Sequence, residues 1–442
     1  VTHAVTTDLT PGAAPNLSLL AINLTRRCNL ACAHCYLDAK TLREGDGDEL
    51  STAEVEGLLD DVALLGHGTF VVLTGGEPLL RKDLETLIRH GSALDLPMVV
   101  GTNGTLLSED RVRSLKRAGA LGWGISLDSL DPEYHDRFRG HPGAWAKTMA
   151  GIEHCRRHGV DFQLHFSVTD ANAHELPAMV EFARSCGARS LNVFFLVCVG
   201  RARSVVTLAP ERYEALLADL IRAQAEHPDL IVRPRCAPHY KRIAHQREPQ
   251  AAINRISGRE GDGCIAGVHY ARVNYRGGVT ACPYIEREVG NIRATAFRAL
   301  WAGAEDFARL RSPTLEGKCG ACEYRMLCGG CRARPLAAGG GLMDADDLCA
   351  YEPQGGALVQ PMAGSADGAP TWSPEAEQRL SRVPGFLRAM VKKRAEAYVS
   401  GLGEDRVTGR HLSDLAAARF GAAGPPKWVV DGVAPNSEPE KA

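Results

Sequence analysis

No stretch of this 442-residue chain is long and apolar enough for a bilayer crossing. The strongest run, Leu191 to Gly200, falls well short of the roughly eighteen residues a spanning helix needs, so a transmembrane role is excluded. An excess of one charge is missing too, with 51 Lys and Arg against 53 Asp and Glu. That balance argues against nucleic acid or a polybasic membrane surface as partner. Val1 to Asn16 has neither a basic n-region nor an apolar h-region, so no secretory signal is read and a cytoplasmic location is expected. What the chain does carry is 14 cysteines. In a reducing compartment they are free for metals or catalysis rather than for a disulfide framework. With 45% apolar and 24% charged residues, the rest has the composition of a soluble globular protein of two or three domains.

Short β-branched runs alternate with amphipathic helical stretches from Leu19 to about Val199. The runs are Leu20 to Leu24, Thr69 to Leu73, Pro97 to Gly101, Gly122 to Leu127, Asp161 to Val168 and Ser190 to Val197. Helices are expected at Ser51 to Leu65, where Ser51 and Glu54 form a capping box, at Ser108 to Ala118, and at Pro210 to about Glu226. Six such units predict parallel strands joined by helical crossovers, as an α/β barrel or a doubly wound sheet. From Arg233 to Tyr351, cysteines, glycines and turns dominate, which is poor material for an apolar core. Pro353 to Thr371 is Gly, Ala and Pro rich and reads as a linker; Ser373 with Pro374 then starts a few short helices that end near Phe420.

Cys28, Cys32 and Cys35, spaced C-x3-C-x2-C, follow the first strand, at the end where parallel α/β folds place their chemistry. Three thiolates so close can hold three irons of a 4Fe–4S cluster and leave the fourth open; zinc is the alternative that spacing alone allows. The second strand ends in Thr74-Gly75-Gly76-Glu77-Pro78, whose glycines permit close backbone approach to a ligand. Together with His34 before the last cysteine, these segments resemble the radical S-adenosylmethionine (SAM) enzyme superfamily over residues 19 to 225. The resemblance implies a partial (β/α)6 TIM-like barrel. It also implies a cluster with an open iron, on which S-adenosylmethionine is cleaved to a 5'-deoxyadenosyl radical. By that match Gly75, Gly76 and Glu77 bind the methionine ammonium, while Asn103, Ser126 and Asp128 meet the ribose and carboxylate.

A second series, Cys264, Cys282, Cys319, Cys322, Cys328, Cys331 and Cys349, admits a zinc ribbon by its C-x2-C pairs. In order and spacing it resembles the SPASM extension, which holds one or two auxiliary iron–sulfur clusters. The match implies one complete site from Cys319, Cys322, Cys328 and Cys349. It implies a second from Cys264, Cys282 and Cys331, whose fourth position is open or is taken by Cys236, His239, His269 or substrate. Cys155, Cys186 and Cys198 read as small buried hydrophobes.

Asn192 to Val197 with Gly200-Arg201, and Arg235 to Tyr240, resemble the corresponding stretches of radical enzymes of haem d1 and alternative haem biosynthesis. The segment from Trp372 to Leu412 resembles the small C-terminal domain of the B subunit of light-independent protochlorophyllide reductase, although any three-helix cap could share its positions. Two tetrapyrrole resemblances favour a tetrapyrrole substrate, with Arg201, Arg233, Arg235 and His239 as candidate partners for it, and imply an electron donor such as flavodoxin or ferredoxin. A maturase of a ribosomally made peptide is the first rival; no leader-binding domain is expected ahead of the first strand, which weakens that reading without excluding it, since a separate protein can bind the leader. A non-catalytic Fe–S or tetrapyrrole carrier is the second. The expected division is a disordered N-terminus (1–17), the barrel (18–228), the SPASM extension (229–352), a linker (353–371), a small all-α domain (372–422) and a tail (423–442).

Overall fold

Strict alternation along Phe162–Val168 buries Phe162, Leu164, Phe166 and Val168 on one face and leaves Gln163, His165 and Ser167 half-buried on the other. Period-two burial of this kind separates a helix-covered face from the interior of a curved sheet. In the computed structural model this is the fifth of six expected strands: β1 (Leu19–Asn23), β2 (Phe70–Thr74), β3 (Met98–Thr102), β4 (Gly122–Ser126), β5 (Phe162–Val168) and β6 (Ser190–Phe195). They are parallel and neighbour one another in chain order. The structure describes residues 16–39, 47–65, 68–205, 207–250, 254–256, 263–363, 370–383, 388, 391–392, 395–396, 398–399 and 404–420. The expected tail and nearly all of the expected N-terminus fall outside these residues.

Helices α1 (Thr52–Ala63), α2 (Leu84–Ala93), α3 (Glu109–Ala118), α4 (Pro132–Arg139), α5 (Ala144–Arg157), α6 (Leu176–Ser185) and α7 (Pro210–Glu226) supply the crossovers. In α1, Ser51 and Glu54 make the capping box, and Val55, Leu58, Leu59 and Val62 are buried at helical spacing. Each such side chain contributes roughly 1.5–3 kcal/mol before ordering costs. Ser108 caps α3, which stops at Gly119 in the left-handed region, φ 104°.

Two features depart from the sequence expectation. A seventh parallel strand, β7 (Ile231–Arg235), pairs with β6 and carries Pro234, a residue suited to a sheet edge. At the other side, Tyr270–Val273 lies parallel beside β1, with Leu19 opposite Tyr270, and Gly278–Thr280 and Gly290–Asn291 continue the sheet antiparallel. Among the described residues β1 and β7 do not pair, so the barrel is open. The cysteine-rich region is also better provided with core than its composition suggests. Phe297, Trp301, Phe307 and Leu310 are buried and continuous with the core of the barrel.

Beyond it, the expected linker is partly structured. Val359 donates its N–H to the Glu323 carbonyl at 2.9 Å, and Met362–Ala363 pairs with Arg255–Ile256. Thr371–Trp372 pairs with Arg406–Val407, and with the helices Pro374–Arg382 and Gly409–Phe420 encloses a separate small cluster of Ala376, Ala395, Val399 and Val407. Ser373 Oγ accepts from Ala376 N at 3.2 Å, the expected cap. Among the described residues no helix is long and apolar enough to cross a membrane.

Candidate active site

The chain leaving β1 runs beside the chain leaving β2. Leu24 N–H donates to the Thr74 carbonyl, Gly76 N–H to Thr25 and Glu77 N–H to Arg27, each at 2.8 Å. Glycine is required here because a Cβ on Gly75 would lie 2.5 Å from the Thr25 carbonyl oxygen, and one on Gly76 2.1 Å from that of Arg27. The Gly-Gly pair thus fixes the approach to Cys28. From the other side, the end of α4 holds the loop: Ala31 and Ala33 donate their N–H groups to the carbonyls of Arg139 and Phe138.

Polar groups are aimed at the three sulfurs. Leu30 N–H lies 3.4 Å from Cys28 Sγ, Ala39 N–H 3.4 Å from Cys35 Sγ, and Arg139 Nη1 3.8 Å from Cys32 Sγ. Burial pushes the lone Cys28 thiol up to about 12. An iron cluster reverses that penalty by compensating the thiolate charge. A cubane spreads its thiolates over separate irons, and three cysteines on one loop with N–H and guanidinium groups aimed at their sulfurs are a donor set that fits one.

Glu77 is fully buried, with Oε1 accepting from Thr102 Oγ1 (2.8 Å) and Leu79 N (3.1 Å) and Oε2 from Asn103 N (2.9 Å). Burial outweighs those donors and raises its pKa to about 7. Its carboxylate therefore knits the ends of β2 and β3 together. Asn103 is 4.0 Å from Cys28 Sγ through Nδ2, which also donates to Asn29 Oδ1 at 2.9 Å. Ser126 ends β4 half-buried on the interior side, in register with His165 of β5. Asp128 is the third residue of the expected ribose and carboxylate group. It is buried, accepts from Ser167 N at 2.9 Å, and pairs with Arg139 Nη2 at 2.6 Å. Although burial works to raise it, the charges of Arg139, His34 and His135 hold its pKa below the usual carboxylate value.

Sequence spacing gave no sign of Arg139, which comes from α4 to bridge Asp128 and Cys32. His34 stacks on Phe138 with ring centroids 4.3 Å apart, and burial lowers its pKa to about 4. Of the candidate substrate residues, Arg201 is committed elsewhere. Its guanidinium binds the Cys32 carbonyl (2.9 Å), Asp38 (2.8 Å) and the Ala39 carbonyl (2.9 Å), clamping the cysteine loop from the β6 side. His239 is buried at the start of α8 (His239–Arg247), with Tyr213 Oη at 2.7 Å from its Nδ1 and Asp346 at 3.5 Å from its Nε2. Arg235 does face the interior row: its Nε donates to Asn192 Oδ1 at 2.9 Å, and Asn192 Nδ2 to Gln163 Oε1 at 2.7 Å. Arg233, its neighbour but one on β7, is exposed.

In the extension, Cys319, Cys322, Cys328 and Cys349 line one small cavity with Arg242 and Lys318. Gly330 N–H points at Cys328 Sγ and Asp346 N–H at Cys319 Sγ, both at 3.5 Å. Cys331 lies apart from that cavity lining and donates its N–H to Asp346 Oδ2 at 2.8 Å. Cys155 is buried, and Cys186 and Cys198 are partly so.

An open parallel barrel with a cysteine loop after β1 and a Gly-Gly-Glu turn after β2 defines an iron–sulfur enzyme that works on S-adenosylmethionine. Family comparison agrees: residues 22–183 match the Radical SAM superfamily, 264–323 the SPASM iron–sulfur cluster-binding domain, and 372–415 the proto-chlorophyllide reductase 57 kD subunit. The chain is 39% identical over 341 residues to the AdoMet-dependent heme synthase of Methanosarcina barkeri, covering 76% of this chain and 97% of that protein. It is 36% identical to the enzyme of the same name from Oleidesulfovibrio alaskensis, covering 77% and 89%. The crystal structure of Streptococcus suis SuiB bound to S-adenosylmethionine shares the fold, at a TM-score of 0.61 and 17% identity, over 76% of this chain and 78% of that one. The chain belongs to the radical SAM superfamily, among the SPASM-bearing enzymes that include these heme synthases. A 4Fe–4S cluster, S-adenosylmethionine and auxiliary iron–sulfur clusters are the cofactors of that family.

Proposed function

We propose that this enzyme oxidatively decarboxylates, or removes, a carboxylate side chain of a tetrapyrrole in haem-type biosynthesis. The observation that carries the reading is the likeness to a heme synthase along 97% of that protein. Loss of one hydrogen atom, one carbon dioxide and one electron converts a propionate to a vinyl group, so the reaction needs a radical and an electron sink. When bound, the cluster and S-adenosylmethionine supply the radical, and the auxiliary clusters offer the sink.

The chain's own residues do the rest. Cys28, Cys32 and Cys35 hold the catalytic cluster, with Arg139 and Asp128 orienting Cys32. The backbone at Gly75 and Gly76 receives the amino end of S-adenosylmethionine, and Asn103 and Ser126 border it. Arg235 at one edge of the open barrel and Arg272 at the other anchor substrate carboxylates. The Nε of Arg272 is buried with no partner, and its strand lies in register with β1. Cys319, Cys322, Cys328 and Cys349 form one auxiliary site; Cys264, Cys282 and Cys331 belong to the other. Flavodoxin or ferredoxin delivers electrons in the cytoplasm, which keeps these thiols reduced. The segment 372–422 acts as a small separate domain that covers the macrocycle.

The test is anaerobic turnover with dithionite, S-adenosylmethionine and an iron porphyrin bearing propionates. The expected products are 5'-deoxyadenosine and a porphyrin lighter by one carbon dioxide and two hydrogens per side chain. Truncation at Pro361 is expected to weaken porphyrin turnover and spare uncoupled cleavage of S-adenosylmethionine. Absence of any Soret change with every porphyrin offered would overturn the reading in favour of a peptide substrate.

A further inference from the structure

We propose that Cys236 is the fourth thiolate of the second auxiliary site, completing a four-cysteine set with Cys264, Cys282 and Cys331. The proposal rests on the assignment of those three to a cluster; it does not depend on which substrate the enzyme takes. Cys236 is one of the candidates that the sequence leaves open for this position; it follows β7 directly and precedes the residues 264–323 that match the SPASM domain.

Cys236 has φ 58°, one of three non-glycine residues in the left-handed region among those described. That conformation costs a residue with a Cβ roughly 1–2 kcal/mol, so the surroundings must impose it. They do so through a continuous chain of contacts. The Cys236 carbonyl accepts from Arg334 Nη2 at 2.5 Å, Arg334 Nη1 pairs with Asp346 Oδ2 at 2.5 Å, and the same oxygen accepts the Cys331 N–H at 2.8 Å. One buried guanidinium and one buried carboxylate therefore set Cys236 against Cys331.

The other two cysteines are drawn to the same place. Gly267 N–H donates to the Ala281 carbonyl at 3.2 Å, which joins the turn after Cys264 to the residue before Cys282. Gly263 sits against the carbonyls of Leu327 and Cys328, which brings Cys264 toward the segment that carries Cys331. The electrostatics agree with this convergence. Burial first, and then negative charge on Cys331 and Cys264, raise the Cys236 thiol against the lowering pull of Arg334 and Arg235, which places all of these groups around it. Cys282 in turn feels Cys236, Cys331 and Cys264.

Neither histidine competes for the place. The His239 ring is held between Tyr213 and Asp346, and His269 Nδ1 lies 3.0 Å from the Asn16 carbonyl oxygen at the entry to β1. Four thiols drawn together by these contacts have one economical use in a reduced protein, which is to close a cluster. A closed cluster has no free iron, so substrate cannot ligate it directly.

The experiment starts from the full-length chain with Cys28, Cys32 and Cys35 changed to Ala, reconstituted anaerobically with iron and sulfide, so that only auxiliary clusters remain. About eight irons per chain are expected. Adding Cys236→Ala should lower the count to between about four and seven and give a three-iron EPR signal on mild oxidation. It should also let cyanide, as a probe for an open iron, perturb the spectrum, which it leaves unchanged in the parent. Cys186→Ala in the same background controls for loss of any thiol and should change nothing. Should Cys236→Ala not fold, the near-isosteric Cys236→Ser is read instead, where an oxygen ligand is expected to shift the reduced-state EPR spectrum. An unaltered iron count, spectrum and cyanide response in either folded variant would overturn the role of Cys236. A parent that already responds to cyanide would overturn it too. Zinc in place of iron would instead overturn the assignment of the whole set.

Discussion

The loop bearing Cys28, Cys32 and Cys35 hangs on main-chain hydrogen bonds to the ends of β2 and α4, whereas the segment from Cys319 to Cys349 is tied together by buried charge. In the first, Gly75 and Gly76 let two backbones touch, and a single buried pair, Arg139 with Asp128, and the clamp of Arg201 add to that main-chain frame. In the second, Arg332 and Arg334 radiate from a short turn to carbonyls and to Asp346, which is fully buried. A backbone-held loop keeps its shape without its cluster, because its partners are strand ends that exist anyway. A charge-held segment depends on every member of its network, since removing one partner strands the other in a low dielectric.

The largest effect that tests this contrast is triple replacement of Cys28, Cys32 and Cys35 by Ala. It should abolish dithionite-dependent release of 5'-deoxyadenosine, yet leave the auxiliary absorbance and the melting temperature nearly unchanged. Asp346→Ala should do the reverse, stranding Arg334 at a cost of roughly 3–5 kcal/mol and stripping auxiliary iron. Thermal unfolding with iron analysis reads both, and a stable, iron-replete variant would break the comparison. Gly76→Ala is intermediate. Its Cβ meets the Arg27 carbonyl at 2.1 Å, and the resulting shift of the cysteine loop should slow cleavage of S-adenosylmethionine about a hundredfold while auxiliary iron is kept.

The smallest effect concerns the surface where the two regions meet. Arg293 of the extension reaches Glu54 in the first turn of α1 at 2.6 Å, and its hydrogen bond, with that of the Ser51 backbone, lowers the Glu54 pKa to about 2. A depressed carboxylate adds stability that is complete above its unfolded value and declines as pH falls through its folded one. Arg293→Ala should therefore lower the melting temperature only slightly at neutral pH, and that difference should fade between about pH 4.5 and 2. Equal melting-temperature differences at pH 7 and pH 3 would contradict this.

Much of the barrel was legible because its signals are local. Six strands and the helices at Ser51, Ser108 and Pro210 announce themselves by periodicity and caps, and the cysteine loop and Gly-Gly-Glu turn by fixed spacing. What escaped the sequence is assembled over distance. Arg139 meets Cys32 from another helix, and nothing near either residue advertises the pair. Arg201 looks like a carboxylate binder until its three partners in the loop are seen. β7 was hidden by Pro234 and by flanking arginines, which break the alternation that marks a strand. Phe297, Trp301, Phe307 and Leu310 are masked by the glycines and cysteines that dominate the composition around them. They pack on the barrel rather than on one another alone.

The strand Tyr270–Val273 has a further consequence for how the chain is made. It covers the outer edge of β1, with Leu19 opposite Tyr270, so that edge is left without its partner until most of the protein has been synthesised. An apolar parallel strand with open N–H and C=O groups is a template for pairing with other chains. The nascent barrel is thus most vulnerable before its extension emerges from the ribosome, and stalling or truncation ahead of Tyr270 should produce aggregate rather than a smaller soluble enzyme.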